Sequence, residues 1–88
     1  MIVEQFEVCN ELGLHARVAS RIVRELSKFE SNVIVKKEGK DFNLKSVLGV
    51  MTVNAKKGDV LTIEFSGSDE AAAVEAVRVL FLNKFGEK

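Results

Sequence analysis

The chain has no proline, no tryptophan and no tyrosine, with a single cysteine (Cys9) and a single histidine (His15). One cysteine excludes an intrachain disulfide. One cysteine and one histidine cannot build a structural zinc site, so neither a metal nor a cofactor is expected. No apolar run approaches the roughly 20 residues that a membrane helix needs. The opening Met1-Ile2-Val3-Glu4-Gln5 lacks the basic segment and cleavage signal of an exported precursor. The expectation is a cytoplasmic location without membrane insertion. Charge of neither sign prevails, since 13 Lys and Arg balance 13 Asp and Glu. That speaks against broad nucleic-acid binding, and the missing Tyr and Trp remove common base-stacking rings. With no Ser/Gly-rich linker and no internal repeat, the 88 residues read as one continuous domain, residues 1–88, with a limited core.

The patterning alternates between two periods. Residues 2–8 place Ile2, Phe6 and Val8 on one face and Val3, Gln5 and Glu7 on the other, as in a strand. From Ala16 the spacing becomes helical. Ala16, Ala19, Ile22, Val23, Leu26 and Phe29 share one side and Arg17, Arg21, Arg24 and Lys28 another, over about three turns. Val33-Ile34-Val35 suits a strand over 32–37. Glu38-Gly39-Lys40 gives a tight turn, and residues 41–44 return as a second strand. Ser46 is an N-cap candidate for a short helix beginning at Val47 and weakened by Gly49. Lys57-Gly58-Asp59 is a turn before the alternating Leu61, Ile63 and Phe65. Ser68-Asp69-Glu70 opens a last helix with a cap and two acids at its positive end. That helix is expected to run to about Lys84, with Val74, Val77, Leu80 and Phe81 inward and Gly86 following. The order β-α-β-β-α-β-α implies an α+β fold, a sheet with one face under helices and the other in water.

The chemistry concentrates at Gly13-Leu14-His15-Ala16-Arg17. Gly13 permits an unusual backbone path that delivers His15 to a helix start. The first N–H groups of a helix lack internal partners and, with the dipole, favour an anion. Arg17 adds donors suited to phosphate oxygens. Imidazole is a nitrogen nucleophile that forms covalent intermediates. The set suits phosphoryl transfer, where positioning and charge stabilisation dominate. No acid–base partner for His15 stands nearby in the sequence. There is no Walker-type loop or acidic metal cluster to hold a nucleotide. On the residues alone, a phosphoryl-accepting His15 and an incidental capping His15 both stand.

Residues 13–17 and a second motif, Asn43-Leu44-Lys45-Ser46-Val47-Leu48-Gly49-Val50-Met51, resemble the HPr family. These are the histidine-containing phosphocarriers of the phosphoenolpyruvate-dependent sugar phosphotransferase system. The resemblance covers essentially the whole chain in length, element order and motif placement. It implies an open-faced β-sandwich, a four-stranded antiparallel sheet with three helices on one face. It also implies that His15 takes a phosphoryl group on Nδ1 from phospho-enzyme I and passes it to a sugar-specific enzyme IIA, with Arg17 contacting the group. Such a protein is a carrier, modified in each cycle, more than an enzyme. One position departs from the family. Proline usually follows the arginine, and here Val18 does, which restores a backbone N–H and frees φ.

Ser46 has a structural reading as a cap. In HPr of many bacteria the matching serine is the target of a dedicated kinase, so the resemblance implies a regulatory charge there. A short helix cannot bury all of Val47, Leu48, Val50, Met51 and Val53. Val47, Leu48 and Met51 are therefore expected at the surface, as a partner-docking patch. Arg21 and Arg24 read either as a solvated face or as steering charges toward acidic partners. Cys9 reads as packing. Expected partners are enzyme I and enzyme IIA; Val18 motivates a regulatory alternative with little sugar transport role, acting through phospho-Ser46 with HPr kinase/phosphorylase and a transcription regulator, or through His15 in a nitrogen-type phosphorelay. The protein is expected to be a monomer. An unrelated α+β domain that binds RNA or a metabolite is disfavoured by the neutral charge, the missing Tyr and Trp and the lack of an RNA-stacking motif.

Overall fold

A computed structural model describes residues 1–87. The chain runs β1 (Ile2–Glu7), α1 (Ala16–Leu26), β2 (Asn32–Lys37), β3 (Lys40–Asn43), α2 (Val47–Val53), β4 (Val60–Ser66), α3 (Glu70–Leu82) and a 3₁₀ turn (Lys84–Gly86). The strands form one sheet in the order β1-β4-β2-β3. Every neighbouring pair is antiparallel. The helices cover one face of the sheet, giving the open-faced β-sandwich. Alternation sets the register. Phe6, Val33, Val35, Leu61, Ile63 and Phe65 point under the helices and are buried. Gln5 and Thr62 are paired across the opposite face. Glu38 and Gly39 both take positive φ between β2 and β3, the geometry of a two-residue hairpin turn that follows strand twist.

Four sequence expectations shift. Ala16 is exposed, and Val18 takes the core position, 1% exposed. The buried stripe of α1 is Val18, Ala19, Ile22 and Leu26. Second, α3 ends at Leu82, short of Lys84, because Lys84 and Phe85 adopt left-handed backbone (φ 51° and 57°). Third, neither Ser68 nor Asp69 caps α3 with its side chain. The Asp69 carboxylate instead accepts from the Glu30 and Ser31 N–H groups, each at 2.9 Å, and from the Ser31 hydroxyl. The second hairpin strand also begins one residue earlier than expected, at Lys40.

Gly49, which weakens α2 by propensity, has a packing role. A Cβ there would stand 2.4 Å from the Asn43 carbonyl oxygen, so only glycine lets α2 approach the end of β3. Ser46 caps α2 as expected, its hydroxyl accepting from the Gly49 N–H at 3.2 Å. Such a cap contributes about 1 kcal/mol. Among the described residues no helix is long and apolar enough to cross a membrane.

Candidate functional site

The loop between β1 and α1 is tied to the segment before β4. The Val8 carbonyl accepts from the Gly58 N–H at 2.7 Å, and the Leu14 N–H donates to the Ala55 carbonyl at 3.1 Å. Gly13 makes this contact possible. Its φ is +69°, and a Cβ would stand 2.4 Å from the Ala55 carbonyl oxygen. The loop therefore leaves its anchor at a fixed angle and presents His15 as the N-cap of α1, in extended conformation.

At the cap, the imidazole Nδ1 accepts a hydrogen bond from the Arg17 N–H at 3.3 Å. An accepting Nδ1 carries no proton, so in the neutral ring the proton sits on Nε2. There it meets the Glu87 carboxylate, Nε2 to Oε1 at 2.8 Å. His15 keeps 28% of its side chain exposed. Asn10 completes the cluster from within. It is fully buried, and its amide donates to the Gly13 carbonyl at 2.8 Å and to Glu87 Oε1 at 3.1 Å.

Glu87 titrates below the usual glutamate range, first because His15 donates to it. The Asn10 bond and the positive fields of His15 and Arg17 act in the same direction, against partial burial. The tail that brings Glu87 here carries two consecutive left-handed, non-glycine residues, Lys84 and Phe85. That conformation costs roughly 1–2 kcal/mol per residue. Full burial of a phenylalanine side chain offsets it by about 1.5–3 kcal/mol. Phe85 is 2% exposed and stands edge-on to Phe81 at 4.9 Å.

Arg17, Arg21 and Arg24 are exposed on α1 and join none of the ion pairs among the described residues. They line a shallow groove of about 350 Å³ with Ser20, Phe85 and Glu87. Leu48 is 76% exposed, and Val47 and Met51 are exposed beside it on α2, which packs against α1. Leu12, in the loop before His15, is 74% exposed and lies beside Arg17 and Glu87. Cys9 is half-buried, its Sγ 3.5 Å from the Glu7 carbonyl.

The Arg17 backbone N–H thus lies at His15 Nδ1, and Ser46 heads the neighbouring helix. Sequence reasoning missed Glu87, Asn10 and Leu12. Asn10 and Leu12 lay in a segment legible only as a turn. Glu87 is 72 residues from His15, and no local spacing could have joined them.

The family model for the PTS HPr component phosphorylation site matches residues 2–83. The chain is 40% identical over 87 residues to the phosphocarrier protein HPr of Xylella fastidiosa (strain Temecula1), covering 99% of this chain and 98% of that protein. It is 40% identical over 88 residues to the phosphocarrier protein HPr of Treponema pallidum, covering all of both. Among solved structures it is similar to HPr-C-His of Thermoanaerobacter tengcongensis, with TM-score 0.93 and 39% identity, covering 100% of this chain and 99% of that one.

Proposed function

The chain belongs to the HPr family of phosphocarriers, and from that premise we propose that His15 bears the phosphoryl group, on Nδ1, and that Arg17 contacts it. The protein carries phosphoryl groups in the sugar phosphotransferase system through a transient phosphohistidine; it is a carrier and not an enzyme. The single observation that supports the site is the unprotonated Nδ1 at a helix N-cap, its lone pair accepting from the Arg17 N–H.

Transfer follows from that geometry. Nδ1 attacks the phosphorus of the donor's phosphoryl group, the N–P bond forms, and the bond to the donor breaks with its electron pair leaving on the donor. The Arg17 N–H loses the lone pair it bonded and gains a phosphoryl oxygen in its place. The start of α1 and the Arg17 guanidinium hold the negative oxygens. Transfer to the next protein runs the same steps in reverse.

The donor in this reading is phospho-enzyme I and the acceptor a sugar-specific enzyme IIA, with the protein acting as a cytoplasmic monomer and residues 1–88 as one phosphocarrier domain. Val47, Leu48 and Met51 form the docking patch, and Arg21 and Arg24 attract acidic partners. Ser46 is the proposed regulatory position for HPr kinase/phosphorylase. A phosphoryl group there adds a charge of about −1.5 to −2 beside that patch, enough to repel an acidic partner or recruit a transcription regulator.

Incubation with phosphoenolpyruvate and enzyme I is expected to add one acid-labile phosphoryl group. His15→Ala should abolish it. Retention of the adduct in that variant would place the site elsewhere.

A further inference from the structure

The tail beyond α3 sets a carboxylate against the imidazole nitrogen that takes no phosphoryl group. Two adjacent left-handed residues persist only where their surroundings over-determine them, and the buried Phe85 ring supplies that constraint. From this anchor the backbone passes beneath the Arg21 guanidinium at Gly86 and delivers Glu87 to Nε2. Asn10 fixes the carboxylate from the other side. Its orientation is settled chemically, because both groups it faces, the Gly13 carbonyl and Glu87 Oε1, are acceptors, and a flipped amide would oppose oxygen to oxygen. Three separate stretches of chain (residues 10–13, the start of α1 and the tail) therefore converge on one proton.

We propose that Glu87 is a positioning residue that keeps the imidazole proton on Nε2 throughout the phosphoryl cycle. The proposal rests on His15 as the bearer of the phosphoryl group. In the free protein the carboxylate selects the tautomer with its lone pair on Nδ1, and by accepting from Nε2–H it raises the basicity of that lone pair, as outer carboxylates do for metal-binding histidines. When the N–P bond forms, the ring gains a positive charge with its Nε2 proton in place, and Glu87 compensates it. When that bond breaks, its electron pair returns to Nδ1 and the ring departs as the same neutral tautomer. No proton crosses the ring in either direction. The phosphorylated ring stays in its protonated form, the better leaving group for onward transfer.

The test combines a spectroscopic and a kinetic reading on Glu87→Gln and Glu87→Ala. In the unmodified protein, long-range ¹H–¹⁵N spectra of the neutral His15 ring should show the Nε2–H tautomer almost alone. Both variants should show a mixture, since a glutamine amide can donate to Nε2 as readily as accept from it. Phosphoryl acceptance from phospho-enzyme I should slow by about tenfold, the lower end of what outer partners of a ligating histidine contribute. A merely structural role would leave the tautomer unmoved. Unchanged tautomer populations would overturn the proposal, as would an unchanged acceptance rate alongside a shifted tautomer. An adduct that survives His15→Ala would instead sink the site assignment itself, so the two failures are distinguishable.

Discussion

Val18 occupies the third position of α1, counted from the His15 cap. The first intrahelical bond at this end runs from the Ala19 N–H to the His15 carbonyl at 2.8 Å, so the Val18 N–H lies among the donors a helix start leaves free. A proline here removes no helical hydrogen bond and fixes a φ that the helix already uses. Meanwhile the valine side chain is buried, 1% exposed, filling the volume a pyrrolidine ring would fill. The family's usual proline and this chain's valine are thus close to interchangeable for the fold. Val18→Pro is expected to change unfolding free energy by less than about 1 kcal/mol in either direction. Urea denaturation measures it, and a loss of about 2 kcal/mol or more would mean that proline strains the cap. At this scale the sequence was readable where chemistry sits in one short motif, as with Gly13, His15 and Arg17. It was silent on Glu87 and Asn10, because their roles come from tertiary proximity alone.

The elements themselves were legible wherever a segment carried its own period, as in residues 2–8, 32–37 and 61–66. Their ends were less so, because termini are settled by partners elsewhere in the chain. Asp69 shows why. By residue type it is an N-cap, but the turn after α1 presents the Glu30 and Ser31 N–H groups and the Ser31 hydroxyl, and these claim both carboxylate oxygens. The clamp joins the start of α3 to the start of β2. It holds the Asp69 carboxyl below its ordinary value of 3.8, first through the Ser31 hydroxyl, then through the Glu30 N–H, against some desolvation. A carboxylate depressed in the folded state contributes stability that is fully present above the ordinary aspartate value. That contribution is lost as pH falls through the lowered native value. Asp69→Asn should therefore be less stable than the unmodified protein at neutral pH, with the gap closing as pH falls from the ordinary aspartate range through the lowered native value. Thermal unfolding of both proteins across that range measures it. A gap independent of pH would show that the charge contributes nothing and that only the shape of the clamp matters.

Across the whole molecule, zero net charge conceals an uneven surface. The sequence showed the basic row on α1 and the surplus of apolar residues on α2. It could not show that the two helices pack side by side, nor that the sheet is ordered β1-β4-β2-β3, since pairing between distant strands leaves no local mark. Together these place Arg17, Arg21 and Arg24 on one side of the His15 environment and Val47, Leu48 and Met51 on the adjoining helix. The two groups should act differently on a partner. Exposed charges act over a Debye length of about 10 Å at 0.1 M salt and about 3 Å at 1 M, so they govern encounter. Apolar contacts form after encounter and do not depend on screening in this way. Acceptance from phospho-enzyme I should therefore slow as salt rises, on the order of tenfold between dilute buffer and molar salt. The Arg21→Ala/Arg24→Ala double variant should be slow in dilute buffer and converge with the unmodified protein at high salt. Leu48→Ala should instead lower the rate by a similar factor at every salt concentration, without loss of stability, because its side chain is 76% exposed. Stopped-flow transfer rates over a salt series separate the two. Parallel curves for the arginine variant and the unmodified protein would mean that the basic row is only a solvated face, and a Leu48→Ala rate equal to the unmodified protein would remove that residue from the docking surface.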